Sequence, residues 1–207
     1  MIAWSIQAAL DSGCFDDVII STDDVEIANV AQEFGASVPF MRPSELSDDY
    51  TGTIPVLRHA LETMESLMGY TIQNACCIYA TAPFVTPEIL KQGREVFLSD
   101  NELDFAFSVA SYPFPIQRSL RVTPDNRVEM VYPEEEQTRS QDLPERYHDA
   151  GQFYWFRPAG LKAGDGVFSA RSAPVIIPRE RVQDIDTLED WNCAELLHRM
   201  LEEREAK

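Results

Sequence analysis

The chain has 207 residues, enough for one sizeable core, so a single domain spanning 1–207 is the expectation. Its 44% apolar and 25% charged residues are ordinary for a globular protein in water, and no apolar run approaches the ~20 residues of a membrane-spanning helix. A formal charge of −18, from 35 acidic against 17 basic residues, argues against nucleic acid or an anionic membrane surface as partner. The opening Met1–Ile6 stretch has no basic segment of the kind that begins a signal peptide. Cys14, Cys76, Cys77 and Cys193 show no metal-ligand spacing, so reduced thiols in a cytoplasmic setting are expected.

Ile2, Ile6, Ala9 and Leu10 recur at helical spacing, and Gly13 is placed to end that helix. Val18 to Ser21 reads as a short buried strand. Ile27, Val30, Ala31 and Phe34 mark a second helix stopped at Gly35. Ile54, Leu57, Leu61 and Met64 mark a third, with Pro55 tolerated in its first turn. Cys76 to Ala80 is another apolar strand. Thr86-Pro87-Glu88 opens a helix with a cap, a first-turn proline and an acid near the positive helix end. Phe105, Phe107 and Val109 alternate with small residues in a strand that belongs between layers. Strands without alternating polarity, joined by helices, predict a mostly parallel sheet covered on both faces: a Rossmann-like three-layer α/β/α domain.

Residues 113–150 break this pattern. Pro113, Pro115, Pro124-Asp125-Asn126 and the acidic run from Pro133 to Glu136 are turn signals, and Val128 to Val131 could form one arm of a hairpin. So polar an excursion is expected to be an interaction arm rather than core. Gln152 to Phe156 and Val175 to Ile177 return to strand. A last helix should present Leu188, Trp191, Ala194, Leu197 and Leu201 on one face.

Four segments carry chemistry. Ser21-Thr22-Asp23-Asp24 lies where a strand gives way to a helix, the edge at which parallel sheets bind ligands. Taken alone it is a capped helix start, with Glu26 closing a capping box on Asp23. Arg42-Pro43, followed by Thr51-Gly52-Thr53, offers a guanidinium fork and hydroxyls for a base or phosphate, or simply a surface loop and a helix cap. Tyr79 to Phe84 turns out of a strand and could present Thr81 and backbone amides to a sugar, although Tyr79 and Phe84 would serve equally as core aromatics. Asp184-Ile185-Asp186 is the most chemically loaded. Residues two apart in an extended segment point the same way, so both carboxylates can reach one cation. Two carboxylates completed by phosphate oxygens and water suit Mg²⁺. A competing reading makes Asp186 the N-cap of the last helix, with Glu189 three residues on. The same D-x-D pattern serves glycosyltransferases that consume nucleotide sugars.

STDD (21–24), AQEFGASVPFMRPSELSDDYTGT (31–53), the Pro-Phe turn (83–84), HDAGQFYWF (148–156) and VQDIDTLEDW (182–191) together resemble, in order, the cytidylyltransferases that activate nonulosonic acids. The resemblance covers essentially the whole chain. YATAPFV (79–85) and HDAGQFYWF are similar to the pseudaminic acid branch rather than to the sialic acid branch.

The resemblance implies CMP transfer from CTP to a nonulosonic acid with release of pyrophosphate. It assigns Asp184 and Asp186 to a catalytic Mg²⁺, Ser21, Arg42 and Thr53 to the nucleotide, and Tyr79, Thr81, Tyr154 and Phe168 to the sugar. Residues 113–150 become the dimerisation arm of a homodimer. Arg118, Arg121 and Arg139 become candidate cross-subunit contacts to the sugar carboxylate. No general base stands out. Family members also open with a strand and a glycine-rich, basic phosphate-binding loop, which this sequence lacks ahead of Met1, so impaired activity is expected of the chain as it stands. A non-catalytic dimer partner, a CMP-N-acetylneuraminate synthase and a glycosyltransferase are the alternatives; product formation from CTP separates the enzyme from the non-catalytic partner, and a requirement for a ready-made nucleotide sugar would reveal the glycosyltransferase.

Overall fold

The computed structural model describes residues 1–163 and 166–205. Helix α1 (Ile2–Ser12) ends where the glycine dictates: Gly13 adopts a left-handed conformation, φ 62°, and its N–H donates to the Leu10 carbonyl. Helix α2 (Val25–Glu33) is capped by Asp24 rather than the expected Asp23, its carboxylate accepting from the N–H groups of Glu26 and Ile27 at 2.7 and 3.0 Å. Asp24 has the extended conformation a cap requires, and Asp23, one residue outside, turns to Arg42 instead. Helices α3 (Thr53–Met68) and α4 (Pro87–Ser99) follow the sequence pattern, the latter with Thr86 Oγ1 accepting from the Ile89 N–H at 3.3 Å.

The central sheet contains β1 (Ala75–Ile78), β2 (Phe105–Ser111), β5 (Tyr147–Phe156) and β6 (Ser172–Ile176), in the order β1-β5-β2-β6. Strands β1, β2 and β6 run in one direction, with β2 and β6 paired in parallel. Strand β5 runs against β1 and β2 between them. Its direction follows from connectivity: the chain leaves the carboxyl end of β2 and re-enters at that same edge, so its return strand must be antiparallel. Val18 to Ser21 forms a single parallel bridge, Ile19 to Ser37, instead of the expected strand. Its hydrogen bonds to Ser37 are the Ser37 N–H to the Val18 carbonyl and the Ile20 N–H to the Ser37 carbonyl.

Alternation along β5 divides the core. Phe153 and Trp155 face α1 and α4 with Leu90, Phe97, Ala106 and Val175. Tyr154 and Phe156 face α3 and α5 (Pro158–Ala163) with Leu61, Phe105, Phe107 and Leu161. A sheet buried on both sides is the expected three-layer arrangement. Burial holds the Cys76 thiol well above its usual range and pushes Cys77 up to about 12, so both stay neutral, and all four cysteines are free.

The arm contains a hairpin of β3 (Leu120–Val122) and β4 (Val128–Met130). Its far boundary falls earlier than expected, because β5 already begins at Tyr147. In helix α6 (Leu188–Glu205), Ala194, Leu197 and Leu201 pack on Phe84 and Ile185, but Leu188 stays 76% exposed because that small patch does not reach it. Thr187 caps α6, in place of Asp186: its hydroxyl accepts from the Asp190 N–H at 3.2 Å, and the Asp190 carboxylate accepts from the Thr187 N–H at 2.9 Å.

Candidate active site

The carboxyl ends of β1, β2 and β6 open on one edge of the sheet, the edge at which β5 begins. Past β1, Tyr79 continues the ladder through its N–H to the Gln152 carbonyl, 2.9 Å, and its own carbonyl is gripped by Ser5 of α1 at 2.9 Å. The Tyr79 hydroxyl lies 3.0 Å from that of Thr53, in the first turn of α3. The Tyr79 ring is 5.5 Å from Tyr154, which stacks on Phe107 at 5.8 Å; Phe107 meets Phe168 edge-on at 5.5 Å. Three of the four expected sugar residues therefore lie in one aromatic chain with Thr53 at its end. Phe168 is 73% exposed and offers an open apolar face. Thr81 is exposed on the turn and makes no side-chain hydrogen bond among the described residues.

Arg42 belongs to a second cluster. Its N–H donates to the Thr22 carbonyl at 2.8 Å, its Nε to Ser47 Oγ at 3.0 Å, and its Nη2 lies 3.3 Å from Asp23 Oδ1. Half-buried and oriented by two partners, the guanidinium is held beside the 21–24 segment rather than loose in water. Ser21 Oγ is buried there with no hydrogen-bond partner among the described residues. Ahead of α3, Asp48 closes the loop by accepting from the Thr51 hydroxyl at 2.8 Å and from the N–H groups of Tyr50 and Thr51. Those bonds, the Thr51 hydroxyl first, hold its carboxyl below the usual range.

Beyond β6 the chain crosses back over β5, where the Gln152 amide donates to the Arg181 carbonyl, and then reaches Asp184. Ile185 turns inward onto Phe84, while Asp184 and Asp186 on either side are exposed. This is the alternation of an extended segment, with both carboxylates directed away from the core. Neither accepts a hydrogen bond or forms an ion pair among the described residues. With Thr187 as the cap, Asp186 is left without a structural task. The pair fits a hard divalent cation that takes its other ligands from phosphate and water. No hydrogen bond, ion pair or ring contact among the described residues links the aromatic chain, the Arg42 cluster and the two aspartates to one another.

A family model for cytidylyltransferases matches residues 1–199. The chain belongs to the cytidylyltransferase family. A pseudaminic acid cytidylyltransferase of Campylobacter jejuni is 40% identical over 200 residues, covering 97% of this chain and 85% of that protein. A CMP-N,N'-diacetyllegionaminic acid synthase of the same species is 29% identical over 197 residues, 95% of this chain and 83% of its own length. Among solved structures, a CMP:2-keto-3-deoxy-manno-octonic acid synthetase complexed with CTP superposes with a TM-score of 0.64 at 14% identity, over 98% of this chain and 88% of that one, a likeness of fold.

In this cytidylyltransferase the three arm arginines are engaged within the arm itself. Arg121 forks onto Glu129 Oε2 at 2.9 and 2.7 Å, and Arg139 pairs with Asp142 at 2.7 Å, both on the surface. Arg118 ties down the 136–138 turn through the Glu136 and Thr138 carbonyls. Reading the sequence missed Asp149, which accepts from the Tyr154 hydroxyl at 2.6 Å. The available signal was Asp149-Ala150-Gly151, an aspartate-to-glycine turn just ahead of a strand.

Proposed function

We propose that this cytidylyltransferase transfers CMP from CTP to a nonulosonic acid, pseudaminic acid first among them, and releases pyrophosphate. The observation that carries the reading is the 40% identity to a pseudaminic acid cytidylyltransferase across 97% of the chain. The residues divide the work by position. Arg42, Ser21 and Thr53 receive the cytidine nucleotide, the fixed guanidinium offering paired donors to a base carbonyl or phosphate. Tyr79, Thr81, Tyr154 and Phe168 receive the sugar, with aromatic faces against its carbon skeleton and hydroxyls against its polar groups. Asp184 and Asp186 would hold Mg²⁺, which would supply neutralisation of the phosphate charge. The side chains bind both substrates and align the anomeric hydroxyl with the phosphorus, so orientation is their main contribution. In this reading the whole of 1–207 is one domain, and the free thiols suit a cytoplasmic enzyme.

The arm supports the homodimer. In its hairpin Leu120 opposes Met130 and Val122 opposes Val128, while Arg121 opposes Glu129 on the other face. Leu120, Val122 and Val128 are more than half exposed, an apolar face that a two-stranded hairpin cannot bury alone. A second copy of the chain covers it. Charge placed there, as in a Val122→Lys, Val128→Lys double variant, converts the dimer to monomer by sedimentation while the far-ultraviolet dichroism stays unchanged. A wild-type protein that sediments as a monomer removes the dimer.

Pyrophosphate release with CTP, Mg²⁺ and pseudaminic acid, set beside N-acetylneuraminic acid, tests the function. Formation of the CMP-sugar from pseudaminic acid is the expected result. Product from N-acetylneuraminic acid alone moves the assignment to that substrate, and no product from any nonulosonic acid overturns it.

A further inference from the structure

Strand β5 does not run straight. Against β2 its pairing passes from Phe107 with Tyr154 to Val109 with Asp149, so two steps along β2 are matched by five along β5. The excess bulges at Gly151, whose φ of 61° is the left-handed conformation a glycine takes without strain. Buried Ser108 accepts from the N–H groups of Gln152 and Phe153, both at 3.3 Å, and holds the bulge from the β2 side. In a regular strand, side chains five residues apart lie on opposite faces and about 16 Å apart. Here the bulge folds Asp149 back, so that Oδ1 accepts from the Gly151 N–H at 2.9 Å and Oδ2 from the Tyr154 hydroxyl at 2.6 Å.

Residues from α3, from the end of β1 and from β5 thus lead to one carboxylate: the Thr53 and Tyr79 hydroxyls lie 3.0 Å apart, the Tyr79 ring rests against that of Tyr154, and the Tyr154 hydroxyl donates to Asp149. A carboxylate can only accept, so Tyr154 must donate to it and its own oxygen is left to accept. The turn at Gly151 needs no charge, since a neutral side-chain oxygen would close it, and Ser108 secures the bulge independently. The negative charge therefore serves the tyrosine.

We propose that Asp149 is a positioning residue for the sugar site: it fixes the Tyr154 hydroxyl as a donor and, through the ring contact of Tyr154, holds the neighbouring Tyr79 in place. This inference rests on the reaction proposed above. Burial, and next the Asp149 hydrogen bond, keep the Tyr154 phenol far above its ordinary range; Asp149 and Tyr79 are the titratable groups that face it.

Two measurements test it. In steady-state kinetics Asp149→Asn, whose amide can donate where the carboxylate could not, lowers kcat/KM for the sugar about tenfold, the scale of one misdirected hydrogen bond, and leaves the CTP KM within about twofold. Tyr154→Phe does the same, Asp149→Glu recovers part of the loss, and the Asp149→Asn, Tyr154→Phe double variant is no worse than either single one. Multiplying losses, or an Asp149→Asn enzyme of full activity, overturn the proposal. The second measurement needs no turnover. Ultraviolet difference absorbance at neutral pH, with Tyr154→Phe identifying the Tyr154 contribution, shows the band of that residue at shorter wavelength in Asp149→Asn than in wild type, as expected of a phenol that no longer donates to a carboxylate. If wild type forms no CMP-sugar, the proposed reaction fails on its own, and an unchanged Tyr154 absorption band still overturns the role of Asp149.

Discussion

Asp184→Asn and Asp186→Asn each lower turnover at least about 100-fold without moving the melting temperature. The expected size follows from the several kcal/mol that a catalytic metal contributes to charge stabilisation, at about 1.4 kcal/mol per decade of rate. The unchanged stability follows from the surroundings. Both carboxylates are exposed and unpartnered among the described residues, and surface changes of that kind alter stability by about 0.5 kcal/mol or less. Thr187→Ala is the control, because it removes the actual cap of α6 and costs about 1 kcal/mol of stability while leaving both carboxylates in place. Turnover within twofold of wild type in both asparagine variants would exclude the metal assignment. A fall in melting temperature equal to that of Thr187→Ala would return Asp186 to the role of a cap.

Gly93→Val lowers stability by about 2–3 kcal/mol, against what helix propensity alone suggests. Gly93 sits within α4, where replacing glycine by a better helix former stabilises by up to about 1 kcal/mol. The packing opposes this. A Cβ at Gly93 would lie 2.6 Å from Phe153 Cε2 and 3.0 Å from two atoms of the Trp155 indole. Neither ring can retreat: Phe153 is completely buried, and Trp155 is stacked on Phe15 at 5.0 Å and on Phe97 at 6.3 Å. Overpacking a core of this density costs roughly 1–3 kcal/mol and outweighs the propensity gain. For a chain of this size the melting temperature falls by about 5–10 °C. Phe153 is also part of the β5 bulge, so displacing it misplaces Asp149 and Tyr154, and sugar KM rises with the loss of stability. A melting temperature at or above wild type would show that the two layers slide apart at no cost.

The helices were legible because their signals are local. Gly13, Pro87 and the apolar spacing of α3 act within a turn or two, and three-layer packing follows once strands apolar on both faces are joined by helices. Where adjacent residues competed for one task, local signals failed. Asp23 and Asp24 are both good caps, as are Asp186 and Thr187, and backbone entry geometry chose the second of each pair. The segment 18–21 shows the converse: strand-like composition cannot create a ladder without a neighbouring backbone of sufficient length.

The order and residue types of the candidate site also belong to the sequence. Five motifs in fixed order tie the chain to cytidylyltransferases, and the alternation around Ile185 turns both aspartates outward by strand periodicity alone. Tertiary structure decided the direction of β5, the gathering of Thr53, Tyr79, Tyr154 and Phe168 into one chain of contacts, and the recruitment of Asp149. These depend on pairing between residues far apart in sequence and on a bulge that joins positions five residues apart. A period of two has no means of encoding either, because both are set by the strand that lies alongside.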